Sequence, residues 1–191
     1  MNYSECIENA RTRIGNYCKA CPECNGRACK NQMPGPGAKG IGDTAIRNYD
    51  KWKEIRVQMD TIAENKPVDT SLELFGKKFL YPFFAGPVGA VGLHYGDCLD
   101  DVRYNDILVS ACAKYGIAAF TGDGLDSNVM VAATKAIGKT DGIGIPTVKP
   151  WNIDTVAEKM KMVQESKAFA VAMDVDAAGL PFLRTWSRGR K

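Results

Sequence analysis

Ile117-Ala-Ala-Phe-Thr121 is a short apolar run that breaks at once into Gly122-Asp123-Gly124, and Gly142-Ile-Gly-Ile-Pro-Thr-Val148 does the same, breaking into Lys149-Pro-Trp-Asn152. Between them, from Ser127, which can cap a helix, to Gly138, which can end one, apolar residues return at intervals of three and four. A strand, a helix and a second strand of the same kind make the unit of a parallel sheet. Both strands are apolar almost throughout, where a sheet with one wet face would alternate. That pattern suits a sheet covered by helices on both faces.

Outward from this unit the pattern repeats. Before it stand a strand candidate at Tyr81 to Ala85 and a helix from Asp100 to Tyr115 that Gly116 stops; after it come a helix from Asp154 to Lys167 and a strand from Ala168 to Met173. Polar residues and glycine gather behind each strand, as Gly86-Pro87-Val88-Gly89, Gly122-Asp123-Gly124, Lys149 to Asn152, and Asp174 with Asp176. Those positions are the carboxyl ends of the strands, where α/β folds place their ligands. The fold class is therefore α/β, with the four strands in sequential parallel order. A closed (β/α)8 barrel takes about 250 residues, so four βα units make a partial barrel.

The N-terminal region has another character. Residues 1–17 read as a helix with Ile7, Ala10 and Ile14 on one face, leading into Cys18-Lys-Ala-Cys21-Pro-Glu-Cys24-Asn-Gly-Arg-Ala-Cys29. Four thiolates at these short spacings suit a tetrahedral zinc or an iron–sulfur cluster, and uncoordinated or redox thiols are the other reading. A glycine-proline loop follows. Within it, Gly35 to Gly40 matches G-x-G-x-x-G in form, yet no strand precedes it, so it reads as plain loop. Next comes a helix starting at Asp43 or Thr44, with Ile46, Tyr49, Trp52, Ile55, Met59 and Ile62 in one stripe. Three segments result: a cysteine-rich segment over 1–42, an α/β part over 43–183 and a basic tail over 184–191. The periodicity stops at Leu183, which suggests a truncation or a frameshift.

Composition narrows the function. The 191 residues carry 25 Lys plus Arg against 22 Asp plus Glu, a net charge of +3 that arises from the last eight residues and forms no basic patch, so nucleic acid is not expected as a partner. No run reaches the ~20 apolar residues of a membrane span, and the N-terminus resembles no secretory signal, which points to the cytoplasm. The sole histidine, His94, reads as a loop residue; one imidazole leaves no three-histidine zinc site. Asp123 and Asp176 read as strand-end caps or solvated loop carboxylates.

Two segments carry a resemblance. Thr70-Ser-Leu-Glu-Leu-Phe-Gly-Lys-Lys-Phe-Leu-Tyr-Pro-Phe-Phe-Ala-Gly-Pro87 is similar to the run that leads into the first barrel strand of the FMN-dependent α-hydroxy acid oxidase and dehydrogenase family, and Gly42-Asp43-Thr44-Ala-Ile-Arg47-Asn48-Tyr49 resembles the helix before it. The resemblance runs from about residue 40 to 183. It implies FMN as cofactor and a small-molecule substrate, with Pro87, Val88 and Gly89 laying main chain against the flavin ring and Thr121 contacting the flavin. It further implies that Asp174 orients a catalytic histidine; such a carboxylate fixes the tautomer and stabilises the imidazolium.

Other positions depart from the family's pattern. Its Gln-x-Tyr in the third strand stands here as Gly144 and Pro146, its Thr in the fourth as Ala172, and its substrate-binding Arg falls near Pro181. No counterpart of its fifth-strand Lys or sixth-strand His-Gly-Gly-Arg occurs. The expectation is an FMN-dependent oxidoreductase that is incomplete and inactive as this chain, binds FMN weakly and has open strand edges that leave a homo-oligomer open. The alternative is a zinc or iron–sulfur module on a non-catalytic α/β scaffold.

Overall fold

The computed structural model describes residues 2–14, 18–28, 44–89, 91–124 and 126–175. The chain divides into two compact units, one of Met1–Pro67, Gly92–Cys98 and Gly179–Lys191, the other of Val68–Val91 and Leu99–Ala178.

In the first unit, helix α1 (Tyr3–Arg13) starts at a capping box: Asn2 Oδ1 accepts the Glu5 N–H at 2.9 Å and Glu5 Oε2 accepts the Asn2 N–H at 2.9 Å. Ile7, Ala10 and Ile14 are its half-buried positions, as the stripe predicts. The cysteine segment follows as a loop, tied back to α1 where Tyr3 Oη donates to Pro22 O at 2.7 Å and Arg11 Nε to Ala20 O at 3.3 Å. Gly26, at φ +74°, lies so close to helix α2 (Thr44–Trp52) that a Cβ would sit 2.6 Å from Ala45 Cβ.

Helix α2 is shorter than its stripe. It ends at Trp52 in a turn where Lys53, Glu54 and Ile55 donate to carbonyls three residues back, and Ile55, Met59 and Ile62 are exposed, the last at 99%. An apolar stripe holds a helix only where another surface packs on it, and these side chains meet water instead.

The second unit opens with a hairpin that the strand reading missed, β1 (Leu72–Leu74) against β2 (Lys77–Phe79), with Leu72 opposite Phe79. Phe75 and Gly76 join them with φ of 48° and 74°, the paired left-handed geometry of a tight hairpin turn. Phe79, 2% exposed, then packs on Phe84 and Phe169 with ring centroids 4.7 and 5.3 Å away.

After the hairpin, the strand expected over Tyr81 to Ala85 reduces to Ala85, which bridges Ala119 in parallel. Pro82 lacks an N–H, and Tyr81 and Phe83 stack on each other outside any ladder. A short helix α3 (Val91–Tyr95) takes in His94, which was expected in a loop. Three longer helices follow: α4 (Asp101–Lys114) capped by Asp100, α5 (Ser127–Lys139) capped by Asp126, and α6 (Ile153–Glu165) capped by Asn152. Gly116 ends α4 at φ +73° as expected, whereas Gly138 lies inside α5 and the left-handed Asp141 and Gly142 close it.

The strands between them are β3 (Phe120–Thr121), β4 (Ile145–Val148) and β5 (Ala172–Met173), parallel and in the order β3-β4-β5, with Ala85 on the outer side of β3. Pro146 explains why β5 is so short. Ile145 N–H points to Ala119, the residue before β3, so the absent N–H of Pro146 lies on the β5 side, and pairing begins only at Thr147 with Ala172. Val109, Cys112, Ala119, Ala136 and Ile137 form one core cluster beneath α4 and α5; Met130, Val148 and Val163 form another beneath α5 and α6. Among the described residues no helix is long and apolar enough to cross a membrane.

Candidate functional site

The carboxyl ends of Ala85, β3, β4 and β5 lie side by side, so four loops meet there. Asp123 ties them. Its Oδ1 accepts from Lys159 Nζ at 2.6 Å and from Gly124 N at 2.8 Å, and its Oδ2 from Trp151 Nε1 at 2.7 Å and Lys149 N at 2.9 Å. The expected strand cap is therefore real, but it is a buried ion pair: the Asp123 side chain is 0% exposed and that of Lys159 8%. Four donors on one carboxylate satisfy a charge that would otherwise be costly to bury.

Gly122 brings the next loop close. A Cβ there would lie 2.3 Å from Val88 O and 2.7 Å from Gly89 N, and one on Gly89 would lie 3.0 Å from Asp123 O. The two main chains touch only because neither residue has a side chain. Pro87 is exposed, Val88 and Gly89 are half-buried, and the N–H groups of Val88 and Gly89 have no partner among the described residues. Unpaired main-chain donors at a strand end fit a flat, acceptor-bearing ring.

Side-chain direction separates the two faces of the sheet. Val148 packs under α5 and α6, so Thr147 and Lys149, one residue either side, belong to the opposite face. Lys149 Nζ pairs with Asp174 Oδ2 at 2.9 Å, both side chains about one quarter exposed. Asp174 thus holds a cation as partner, and the structure brings it beside Lys149, which the sequence placed at a strand end without a role. Thr121 ends β3 fully buried, two residues from the core residue Ala119 and so on the helix-covered face. Its hydroxyl, like that of Thr147 and the side chain of Asn105, has no hydrogen-bond partner among the described residues. Gly144, Pro146 and Ala172 bring no polar side chain to the strands; Gly144 instead abuts Ile137.

Of the cysteines, Cys18 and Cys21 are half-buried and Cys24 is exposed, all three as thiols. Among the described residues no three His, Cys, Asp or Glu side chains gather as a metal would need. Cys18 Sγ accepts the Ala20 N–H at 3.5 Å, and Ala20 is left-handed at φ 44°. Cys29, Asp176, Pro181 and the Gly35 to Gly40 loop lie outside the described residues. Sequence reasoning missed Lys159 and gave Lys149 and Trp151 no role beyond their strand-end position.

Compared with known proteins, residues 35–185 match the family model described as FMN-dependent dehydrogenase. No curated protein matches the chain.

Proposed function

The chain belongs to the FMN-dependent dehydrogenase family, so its cofactor is FMN and its chemistry oxidoreduction, and from that premise we propose that residues 43–183 are the first four units of a (β/α)8 barrel whose strand ends carry one side of the flavin site. The substrate is an α-hydroxy acid or a similar small molecule, and the compartment is the cytoplasm. The sequential order of Ala85, β3, β4 and β5 supports a barrel path over a doubly wound sheet, whose order would reverse.

One observation carries the reading: the N–H groups of Val88 and Gly89, without a partner among the described residues, lie on a half-buried strand-end loop that Gly122 and Asp123 hold in place. When bound, FMN supplies the acceptor of a hydride equivalent. Pro87, Val88 and Gly89 then offer main chain to the ring, and Thr121 anchors the neighbouring strand end. Asp174 orients the base that takes the substrate proton; His94 being the one histidine of the sequence, this chain does not supply that base itself and does not turn over alone. Titration with FMN, followed by flavin fluorescence, tests this. Weak saturable binding without lactate or glycolate oxidation is expected; no binding, or turnover by the chain alone, refutes it.

The N-terminal cysteines carry a second reading. The spacing of Cys18, Cys21, Cys24 and Cys29, with the Ala20 N–H donating to Cys18 Sγ, supports a zinc or iron–sulfur site in the cysteine-rich segment over 1–42.

A further inference from the structure

The row of parallel strands ends in two bare edges. Ala85 bridges to Ala119 and β5 pairs with β4, and no strand among the described residues occupies the outer side of either. Apolar side chains stand exposed along both. On β5, Met173 lies opposite Val148, which packs beneath α5 and α6, so Met173, with Val171 and Val175 two residues either side, faces the helix layer. All three are exposed, while Ala172 and Asp174 between them are half-buried. At the other edge Tyr81 and Phe83, both exposed, stack on each other and line an open apolar groove with Ala111 of α4, Tyr115 and Ile117, which sets them on the helix-layer side as well. Unpaired strand edges that carry apolar rows on the same side are surfaces for a further strand.

We propose that two copies of this chain associate head to tail, β5 of each beside the Ala85 strand of the other, and close an eight-stranded ring about a two-fold axis. The inference rests on reading these strands as half of a barrel, and it adds the partner that completes the rim: the strand-end loops of the second copy enclose the flavin side that one copy leaves open. The register gives the seam. Ala85 pairs with Ala119, Phe120 with Ile145 and Thr147 with Ala172, so the level of Ala85 passes through Gly144 to Phe169. An eight-stranded barrel of this kind shears by about eight residues per circuit, hence about four per half, and Phe169 of one copy meets either Tyr81 or Gly89 of the next. The second choice would set Val171 against Val91, which belongs to helix α3. The first sets Val171 beside Phe83 and Met173 beside Ala85, so the two exposed apolar rows become neighbours on one face. Four strands in sequential order make half of the ring, so the second copy closes it and leaves no edge for a third.

The test is the mass of the full chain in solution, by light scattering over a dilution series, with FMN titrated into the same samples. Wild type is expected to be a pair. Phe83→Lys and Val171→Asp each change a side chain that is exposed in the single copy, so its own fold is kept, and each should weaken pairing at least tenfold because both seams then bury a lone charge. Mixed one to one, the two variants should pair to within about threefold of wild type, since one seam keeps Phe83 against Val171 and the other sets the new lysine against the new aspartate. Lys139→Met, whose lysine pairs with exposed Asp106 on α4, is the control and should stay a pair. If either edge variant fails to melt cooperatively, Tyr81→Lys or Met173→Asp on the same row replaces it. A monomeric wild type, an open series of larger species, loss in only one of the two variants, or no recovery on mixing overturns the closed pair, and FMN binding in those samples leaves the flavin reading standing. A closed pair that recovers on mixing but binds no FMN upholds the association and removes the flavin reading.

Discussion

Lys159 Nζ on α6 meets Asp123 Oδ1 at 2.6 Å beneath the strand-end loops, and neither side chain reaches solvent to any useful extent. The two removals are unequal. Lys159→Met leaves the carboxylate with the Trp151 indole and two main-chain donors, so a loss of about 3 kcal/mol is expected; Asp123→Ala strands an ammonium and three N–H groups, for about 5 kcal/mol. Urea midpoints at unchanged slope read both. The reverse order would show that the pair is not the keystone of these loops.

Gly122 and Gly124 flank the same aspartate but differ in the room around them. A methyl at Gly122 meets Val88 O, while one at Gly124 meets nothing within 4 Å. Gly122→Ala should cost about 1–3 kcal/mol and weaken FMN binding, and Gly124→Ala should change both little. Equal FMN affinity in the two variants would detach the Val88 loop from the flavin.

Burial pushes the Cys112 thiol upward, and burial first, with Cys112 second, pushes the Tyr104 phenol upward. Both folded values lie above the unfolded ones, so the contribution to stability is whole below the unfolded thiol's pKa of about 8.5 and is lost as pH rises through the folded values. The melting temperature should hold level to about pH 8 and then fall, less steeply in Cys112→Ala. In the native protein Cys6 and Cys98, which are exposed, should react with a thiol reagent well before Cys112.

Phe79 joins the hairpin to the sheet through two aromatic neighbours. Phe79→Ala should cost about 3–5 kcal/mol, and Phe83→Ala, at an exposed ring, within about 0.5 kcal/mol. Similar losses at both sites, measured by denaturant unfolding, would place the core elsewhere.

Anaerobic purification should yield iron with sulfide, or else zinc, near one site per chain, and Cys21→Ser should abolish it. Metal-free protein whose cysteine-segment thiols all titrate rapidly would rule the site out.

Some of this molecule was legible in the order of its residues. The strand-helix alternation from Ile117 onward was, because a helix or a buried strand writes its period into neighbouring positions. The helix start at Asp100 and the stop at Gly116 are equally local. The strand-end glycines marked where the site would lie, since chain reversals at a sheet edge need small residues.

The tertiary structure decided what local pattern cannot carry. The stripe from Ile46 to Ile62 is continuous in sequence, yet only its first part is helical, because a helix needs a packing partner and Met59 and Ile62 have water. Asp123 and Lys159, and Lys149 and Asp174, are far apart along the chain and follow no common period; only the parallel stacking of β3, β4 and β5 beneath α6 brings their charges together. Asp123 alone in a sequence is a loop carboxylate. Four donors from three segments, closing around it where water is excluded, make it the point that holds the strand ends in register.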